Sequence, residues 1–279
     1  MLDFIKMEGC GNNYIYIDYL DKDLGNYDYS LLSREISNIN YGIGSDGLIL
    51  ICKSNVADAK MIMYNKDGSE GSMCGNGIRC VAKYLYQNIL KKNKMTIETK
   101  SGIKKVMVNE KDNSITVDMG KPILTPNLIP VTLEGENVID KKFKFNDIEI
   151  RVTCVSMGNP HTVIFVNDVN NINIEYLGKI IQKSNIFPNQ CNVEFVQIID
   201  SNNIKIRVYE RGSGETFSCG TGACASVVAG VLNGYLNFNE EINVELIGGN
   251  LKVIYKDTVL LNGDANTICK GKYFVKNKN

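Results

Sequence analysis

The chain has 279 residues, 44% hydrophobic and 22% charged, with 31 basic residues balancing 31 acidic ones. That length admits two domains or one large one, the composition excludes extended disorder, and the charge balance argues against nucleic acid or an anionic membrane as the main partner. No apolar run approaches the roughly 18 residues of a membrane span and the start, Met1-Leu2-Asp3-Phe4, lacks a basic leader, so a cytoplasmic protein is expected, its nine cysteines reduced.

In chain order, Phe4 to Met7 and Tyr14 to Ile17 read as strands joined by the turn Gly9-Cys10-Gly11-Asn12-Asn13. Ser30 can cap a short helix carrying Leu31, Leu32, Ile36 and Ile39 and ending near Gly42. The loop Gly42 to Gly47 precedes a strand, Leu48 to Cys52, instead of opening a helix, which argues against a phosphate loop. Lys60 to Tyr64 is a strand. After Cys74, Ile78, Val81, Ala82, Leu85 and Ile89 recur at helical spacing up to about Leu90. Met95 to Lys100 and Ile103 to Asn109 form a hairpin about Ser101-Gly102, followed by Ile115 to Asp118. Pro122, Pro126 and Pro130 then mark a domain boundary, placing one domain at 1–119, with 264–279 returning to it, and a second at 120–263.

Beyond that boundary Ile148 to Val155 and Thr162 to Val166 read as strands around Gly158-Asn159-Pro160-His161, and Ile174, Leu177, Ile180 and Ile181 as a helix. Val193 to Ile199 and Ile204 to Tyr209 are strands, Ala223 to Leu232 a helix, and Ile242 to Ile247 with Leu251 to Tyr255 a hairpin about Gly248-Gly249. The second half repeats the first. Tyr209, Glu215, Cys219, Gly220 and Gly222 fall 145 residues after Tyr64, Glu70, Cys74, Gly75 and Gly77, and the hairpins match at an offset of 147. Several elements in one order at nearly one offset indicate a duplicated unit and a pseudo-twofold pair of domains.

Each unit places a cysteine where a glycine loop meets a helix. A helix amino terminus offers unpaired N–H groups and partial positive charge, so it binds anions and draws a thiol down from its ordinary pKa of about 8.5 towards neutrality. Glycines at 75, 77, 220 and 222 let backbone approach a carboxylate there. A cysteine outside a disulfide is most often a small buried hydrophobe, and that reading is taken for Cys10, Cys52, Cys80, Cys154, Cys191, Cys224 and Cys269. Cys74 and Cys219 are read as an acid–base pair, because removing a proton from one face of a carbon and returning one to the other needs two groups on opposite sides. No metal is expected: the spacings Cys74-x5-Cys80 and Cys219-x4-Cys224 exceed the usual zinc spacing, and the chain holds one histidine, His161.

The motifs Met73-Cys74-Gly75-Asn76-Gly77-Ile78-Arg79-Cys80, Met157-Gly158-Asn159-Pro160-His161, Tyr209-Glu210-Arg211-Gly212 and Cys219-Gly220-Thr221-Gly222-Ala223-Cys224 resemble those of the diaminopimelate epimerases. So do Gly11-Asn12-Asn13-Tyr14, Gly42 to Asp46 and Tyr64 to Glu70. The resemblance implies an α/β fold of two pseudo-symmetric domains, each a curved, mostly antiparallel sheet wrapped around a central helix. It further implies a cofactor-independent enzyme interconverting LL- and meso-diaminopimelate for lysine and peptidoglycan synthesis, with one cysteine thiolate as base and the other thiol as acid. By the same resemblance Asn12, Asn65, Asn159, Asn192, Glu210 and Arg211 contact the substrate. Gly75, Asn76, Gly220 and Thr221 bind its α-carboxylate through backbone N–H, and His161 and Glu210 tune the thiols. Gly47 stands where some members carry a substrate-contacting Gln, and Cys269 where relatives often have a Tyr at the interface of a homodimer. The competing readings are a proline or hydroxyproline racemase or phenazine-type isomerase on the same fold, and a non-enzymatic thiol sensor or zinc module.

Overall fold

In the computed structural model, which describes residues 1–275, the chain divides into two compact units. One comprises Met1–Val117 with the described residues from Gly263 on, and the other Asp118–Asn262. The last four residues of the returning segment expected at 264–279 lie outside the described residues.

The first unit begins with a hairpin, strands Leu2–Gly9 and Asn12–Tyr19. Gly9 pairs with Asn12, so the connection is the two residues Cys10 and Gly11, with φ of 56° and 79°. Two successive left-handed residues define the turn whose twist matches that of paired strands. Asn12–Tyr19 then runs parallel to Gly47–Cys52, which pairs antiparallel with Ala59–Asn65; Lys94–Thr99 joins parallel and turns back antiparallel into Gly102–Val108. The second unit repeats this order. Ile148–Ser156 and Pro160–Phe165 are antiparallel, Asn192–Ile198 is parallel to Pro160–Phe165, Asn203–Glu210 antiparallel to that, and Glu241–Leu246 with Gly249–Tyr255 closes the series. Even a cross-strand ion pair is duplicated, Lys60–Glu98 at 2.9 Å and Lys205–Glu245 at 2.8 Å.

Each sheet packs a helix on both faces. On one face of the first, Ile15, Ile17, Leu48 and Leu50 meet Leu32 and Ile36 of α1, Tyr29–Ser37. Strand alternation sends Tyr14, Tyr16, Ile49 and Ile51 to the other face, against α2, Gly75–Leu85, which continues as a wider π turn, Tyr86–Leu90. In the second unit Ile164, Val193 and Phe195 meet Ile174 and Ile181 of α3, Ile174–Gln182. The opposite face receives α4, Gly220–Leu232, buried throughout Gly220–Gly230. α2 is buried from Gly75 through Ala82, its polar Asn76 and Arg79 included, with only Lys83 and Tyr84 partly exposed, whereas α4 is apolar on every side, as its burial requires.

Three expectations change. Asp28, not Ser30, caps α1, its carboxylate accepting from Leu31 N–H at 3.0 Å. That helix stops at Ser37, where the Asn38 side chain takes the N–H groups of Asn40 and Tyr41, so Ile39 lies outside it and is 82% exposed. Strands Lys141–Phe145 and Asn266–Tyr273 were not expected: the first carries only a brief alternation, Phe143 and Phe145 between lysines, and the second carries none; the latter adds to the outer edge of Leu2–Gly9. That returning strand is anchored by α2: Arg79, fully buried, donates to Asp264 O and to Gly75 O, each at 3.1 Å, and Lys83 donates to Ala265 O.

Replacing Ile36 by Ala should cost about 2–5 kcal/mol in urea unfolding, the usual range for emptying such a core site. The same change at Ile39 should stay within about 0.5 kcal/mol. Equal losses would contradict the helix boundary.

Candidate active site

Both cysteines cap helices. Cys74 has φ −134° and ψ 118°, Cys219 has φ −126° and ψ 108°, and each sulfur accepts the N–H of the third helical residue, Gly77 or Gly222, at 3.3 Å. The carbonyls of Cys74 and Cys219 take the next N–H groups, those of Ile78 and Ala223, at 2.9 Å each. An N-cap is normally an oxygen of Ser, Thr, Asp or Asn. Sulfur in that place accepts better as thiolate than as thiol, so the cap couples helix geometry to thiol ionisation. Gly77 and Gly222 allow the close seat for a reason other than the expected access for a carboxylate. A Cβ at Gly77 would lie 2.7 Å from Ile49 Cδ1, and one at Gly222 2.8 Å from Glu194 Oε1, so these glycines press the helix ends onto their sheets.

In the first unit the Cys74 thiol lies 3.5 Å from Asn12 Oδ1, which also receives Asn76 Nδ2 at 3.5 Å. Asn12 is itself held by Asp46, whose Oδ2 accepts from Asn12 Nδ2 at 2.9 Å and from Asn13 N–H at 2.8 Å. Asn65, in register with Gly47, directs its amide to Ser69 Oγ at 3.0 Å. No side chain fits at Gly47: its φ is +156°, and a Cβ would stand 2.1 Å from Tyr64 O.

In the second unit the candidates form a connected chain. His161 Nε2 lies 3.0 Å from Asn159 Oδ1, Asn159 Nδ2 donates to Thr221 Oγ1 at 3.2 Å, and Thr221 Oγ1 is 3.4 Å from Cys219 Sγ. Asn192, in register with His161, accepts the N–H of Arg211 at 2.8 Å, and the exposed Arg211 guanidinium donates to Asn189 O at 3.1 Å. Glu210 accepts from Thr216 Oγ1 at 2.5 Å and from the Cys219 thiol.

The electrostatics of Cys219 correct the expectation of a simple acidified thiol. Burial pushes it well above the ordinary thiol value, and the Glu210 and Glu194 carboxylates push the same way, against the bonds from Thr221 and Gly222. Burial likewise raises the Glu210 carboxyl. Among the cysteines read as packing, Cys80 and Cys154 are fully buried and their thiols are raised to about 12 by burial. Cys269, by contrast, is exposed and Cys10 only partly buried, one on an edge strand and one in a turn, so neither is a core residue.

Sequence reasoning missed Asp46 as the support of Asn12, and Glu194, a fully buried carboxylate 2.7 Å from His161 Nδ1. The signal for Glu194 was a lone acid inside the apolar run Val193-Glu194-Phe195-Val196. Among the described residues no group of three His, Cys, Asp or Glu side chains converges as a metal site, and no helix is long and apolar enough to cross a membrane.

Replacing Glu210 by Gln removes one of the charges that hold the Cys219 proton in place. The pH profile of Cys219 alkylation, followed by peptide mapping, should therefore move to lower pH; a shift to higher pH would contradict the assignment.

Residues 4–125 and 153–268 match the family model for diaminopimelate epimerase. The chain is 47% identical to the diaminopimelate epimerase of Bacillus mycoides (strain KBAB4), over 98% of this chain and 97% of that one. It is 46% identical to that of Bacillus anthracis over the same shares. Among solved structures it resembles a PhzF-family phenazine biosynthesis protein of Bacillus anthracis, with a TM-score of 0.72 at 16% identity over 98% and 99% of the two chains. It also resembles a hydroxyproline epimerase from Agrobacterium vitis, with a TM-score of 0.70 at 15% identity over 97% and 91%. The two structures share the fold with this chain, whereas the sequence relatives and the family model go further: the chain belongs to the diaminopimelate epimerase family.

Proposed function

We propose that this chain interconverts LL- and meso-2,6-diaminopimelate by two-base proton transfer at one stereocentre, without a cofactor, with Cys74 and Cys219 as the catalytic pair. The observation that carries the reading is the duplicated cap, a sulfur bound by a helix N–H in each of two units at corresponding positions. Inversion at carbon needs a base on one face and an acid on the other; exchanging the two roles runs the reaction backwards. A thiolate receives stabilisation from its cap N–H, and a thiol at Cys219 can donate to Glu210, so that residue has a partner for either state.

The first-turn N–H groups of Gly75 and Asn76 and of Gly220 and Thr221 would bind the α-carboxylate, since helix geometry gives the first residues no acceptor within the helix. Asn12, Asn65, Asn159, Asn192 and Glu210 would contact the ammonium and carboxylate groups. Arg211, exposed and planar, suits the distal carboxylate through two parallel hydrogen bonds. Any tuning of Cys219 by His161 passes through Asn159 and Thr221, because His161 is bonded to Asn159. The relatives' name supports a place in lysine synthesis, and peptidoglycan synthesis, a cytoplasmic location and a homodimer complete the same proposal; the balanced charge favours neither nucleic acid nor membrane as a partner.

LL-Diaminopimelate incubated with the protein in heavy water should gain deuterium at one stereocentre per turnover, read by NMR, with no added pyridoxal phosphate or metal. Exchange that requires pyridoxal phosphate would overturn the reading. Cys80→Ala and Cys224→Ala should retain exchange, since both side chains are fully buried and are read as packing.

A further inference from the structure

Glu194 stands out because the fold has no need of it. Strand register makes Ile49 its counterpart: Leu48 pairs with Ile15 in the first unit as Val193 pairs with Thr162 in the second, and the next residues, Ile49 and Glu194, both sit under the glycine of a capped helix. Ile49 fills that place as an apolar side chain with no exposure. A carboxylate in the same place costs desolvation that packing alone never recovers. Its Oε1 is bonded to His161 Nδ1 at 2.7 Å and its Oε2 has no hydrogen-bond partner. His161 is equally buried and likewise breaks the repeat, standing where the first unit has Tyr14.

The hydrogen bonds that follow have a definite direction. Asn159 gives its Nδ2–H to Thr221, so its Oδ1 faces the ring and accepts from His161 Nε2–H. Thr221 Oγ1 accepts from Asn159, which leaves its own proton for Cys219 Sγ at 3.4 Å. The sulfur then has two converging donors, Thr221 O–H and Gly222 N–H. Turning the imidazole by half a revolution about its bond would break the chain at its second link, and the Glu194 carboxyl, with a proton between it and Nδ1, prevents that rotation.

We propose that Glu194 is a positioning residue for Cys219: it locks the His161 ring so that Asn159 and Thr221 present a hydroxyl proton to the sulfur. The second unit thereby supports its thiolate with two donors, whereas in the first the Gly77 N–H donates to Cys74 and Asn12 turns its Oδ1, an acceptor for the thiol proton, towards the sulfur. The charged and titratable groups facing Cys219 are Glu210 from Asn203–Glu210, Glu194 from Asn192–Ile198 and, through Asn159, His161 from Pro160–Phe165. Glu194 is the one of these whose position in the sister unit is apolar.

The test compares Glu194→Ile, which copies the first unit, with Glu194→Gln, which keeps an acceptor for the ring. Glu194→Ile should lower kcat about 10²-fold, the scale of misplaced catalytic groups, with KM changed little. Glu194→Gln should recover to within about threefold of the parent. Because the equilibrium constant is fixed, kcat/KM must fall by the same factor in both reaction directions. A second reading needs no substrate and rests on the chain's one histidine, which gives an unambiguous imidazole spectrum. The parent should show a low-field Nδ1 proton that moves upfield in Glu194→Gln. This proposal rests on the epimerase reading for its kinetic arm only, so a parent protein inactive on diaminopimelate with the low-field proton present would overturn that reading and support the lock. Full turnover in folded Glu194→Ile, or absence of the low-field proton in the parent, would overturn the lock; if Glu194→Ile does not fold, the proton signal decides.

Discussion

A sulfur atom at the cap of a helix is the constraint on which the molecule turns. The cap position demands an acceptor for the third N–H of the helix, and here a thiol group supplies it twice, at 3.3 Å in both units. Everything adjacent serves that seat. The glycine three residues on must lack a side chain so that the helix end can lie against the sheet, the strand beneath must offer an atom in contact with that glycine, and the loop before the cysteine must deliver it in extended backbone. Helix dipole and cap bond both favour negative charge on sulfur, while burial opposes it. At Cys219 burial and two carboxylates prevail and push the thiol up.

The duplicated backbone is therefore combined with unequal surroundings. The first unit places Tyr14 and Ile49 where the second places His161 and Glu194, and Arg79 where the second has Cys224. Arg79 is spent on structure, binding Gly75 O and the carbonyl of Asp264 in the returning chain. One unit thus has a buried cation engaged with carbonyl groups and the other a buried carboxylate engaged with an imidazole. A reaction that runs in both directions does not require two identical thiols, only two whose proton affinities lie close enough to exchange roles when substrate is bound, and different buried charges are a means of adjusting each separately.

Much of this was legible in the sequence. The repeat was visible because Tyr64, Glu70, Cys74 and Gly75 recur in order, and because apolar spacing after Cys74 has the helical period over a long enough run to be read. Cys74 and Cys219 were readable as helix-terminus thiols from their place between glycine loop and helix, though not as the caps themselves. What was hidden is local chemistry that depends on three-dimensional neighbours. Asp28 prevailed over Ser30 because its side chain reaches Leu31 N–H, a choice of two residues that spacing cannot resolve. Asn266–Tyr273 is exposed along most of its length and so has no hydrophobic signature of a strand. Glu194 is an acid in an apolar strand whose partner, His161, is remote in sequence and adjacent only through a parallel pairing.

The central claim is that the sulfurs are present for proton transfer and that capping is the means of holding them. Serine separates the two roles, because its hydroxyl is a preferred cap but a far weaker acid than a thiol. Cys74→Ser and Cys219→Ser should each keep the melting temperature of the parent or raise it, while deuterium exchange into LL-diaminopimelate falls by at least about 10²-fold, the contribution of one acid–base group. Serine variants that remain stable and still exchange at the parental rate would contradict the account.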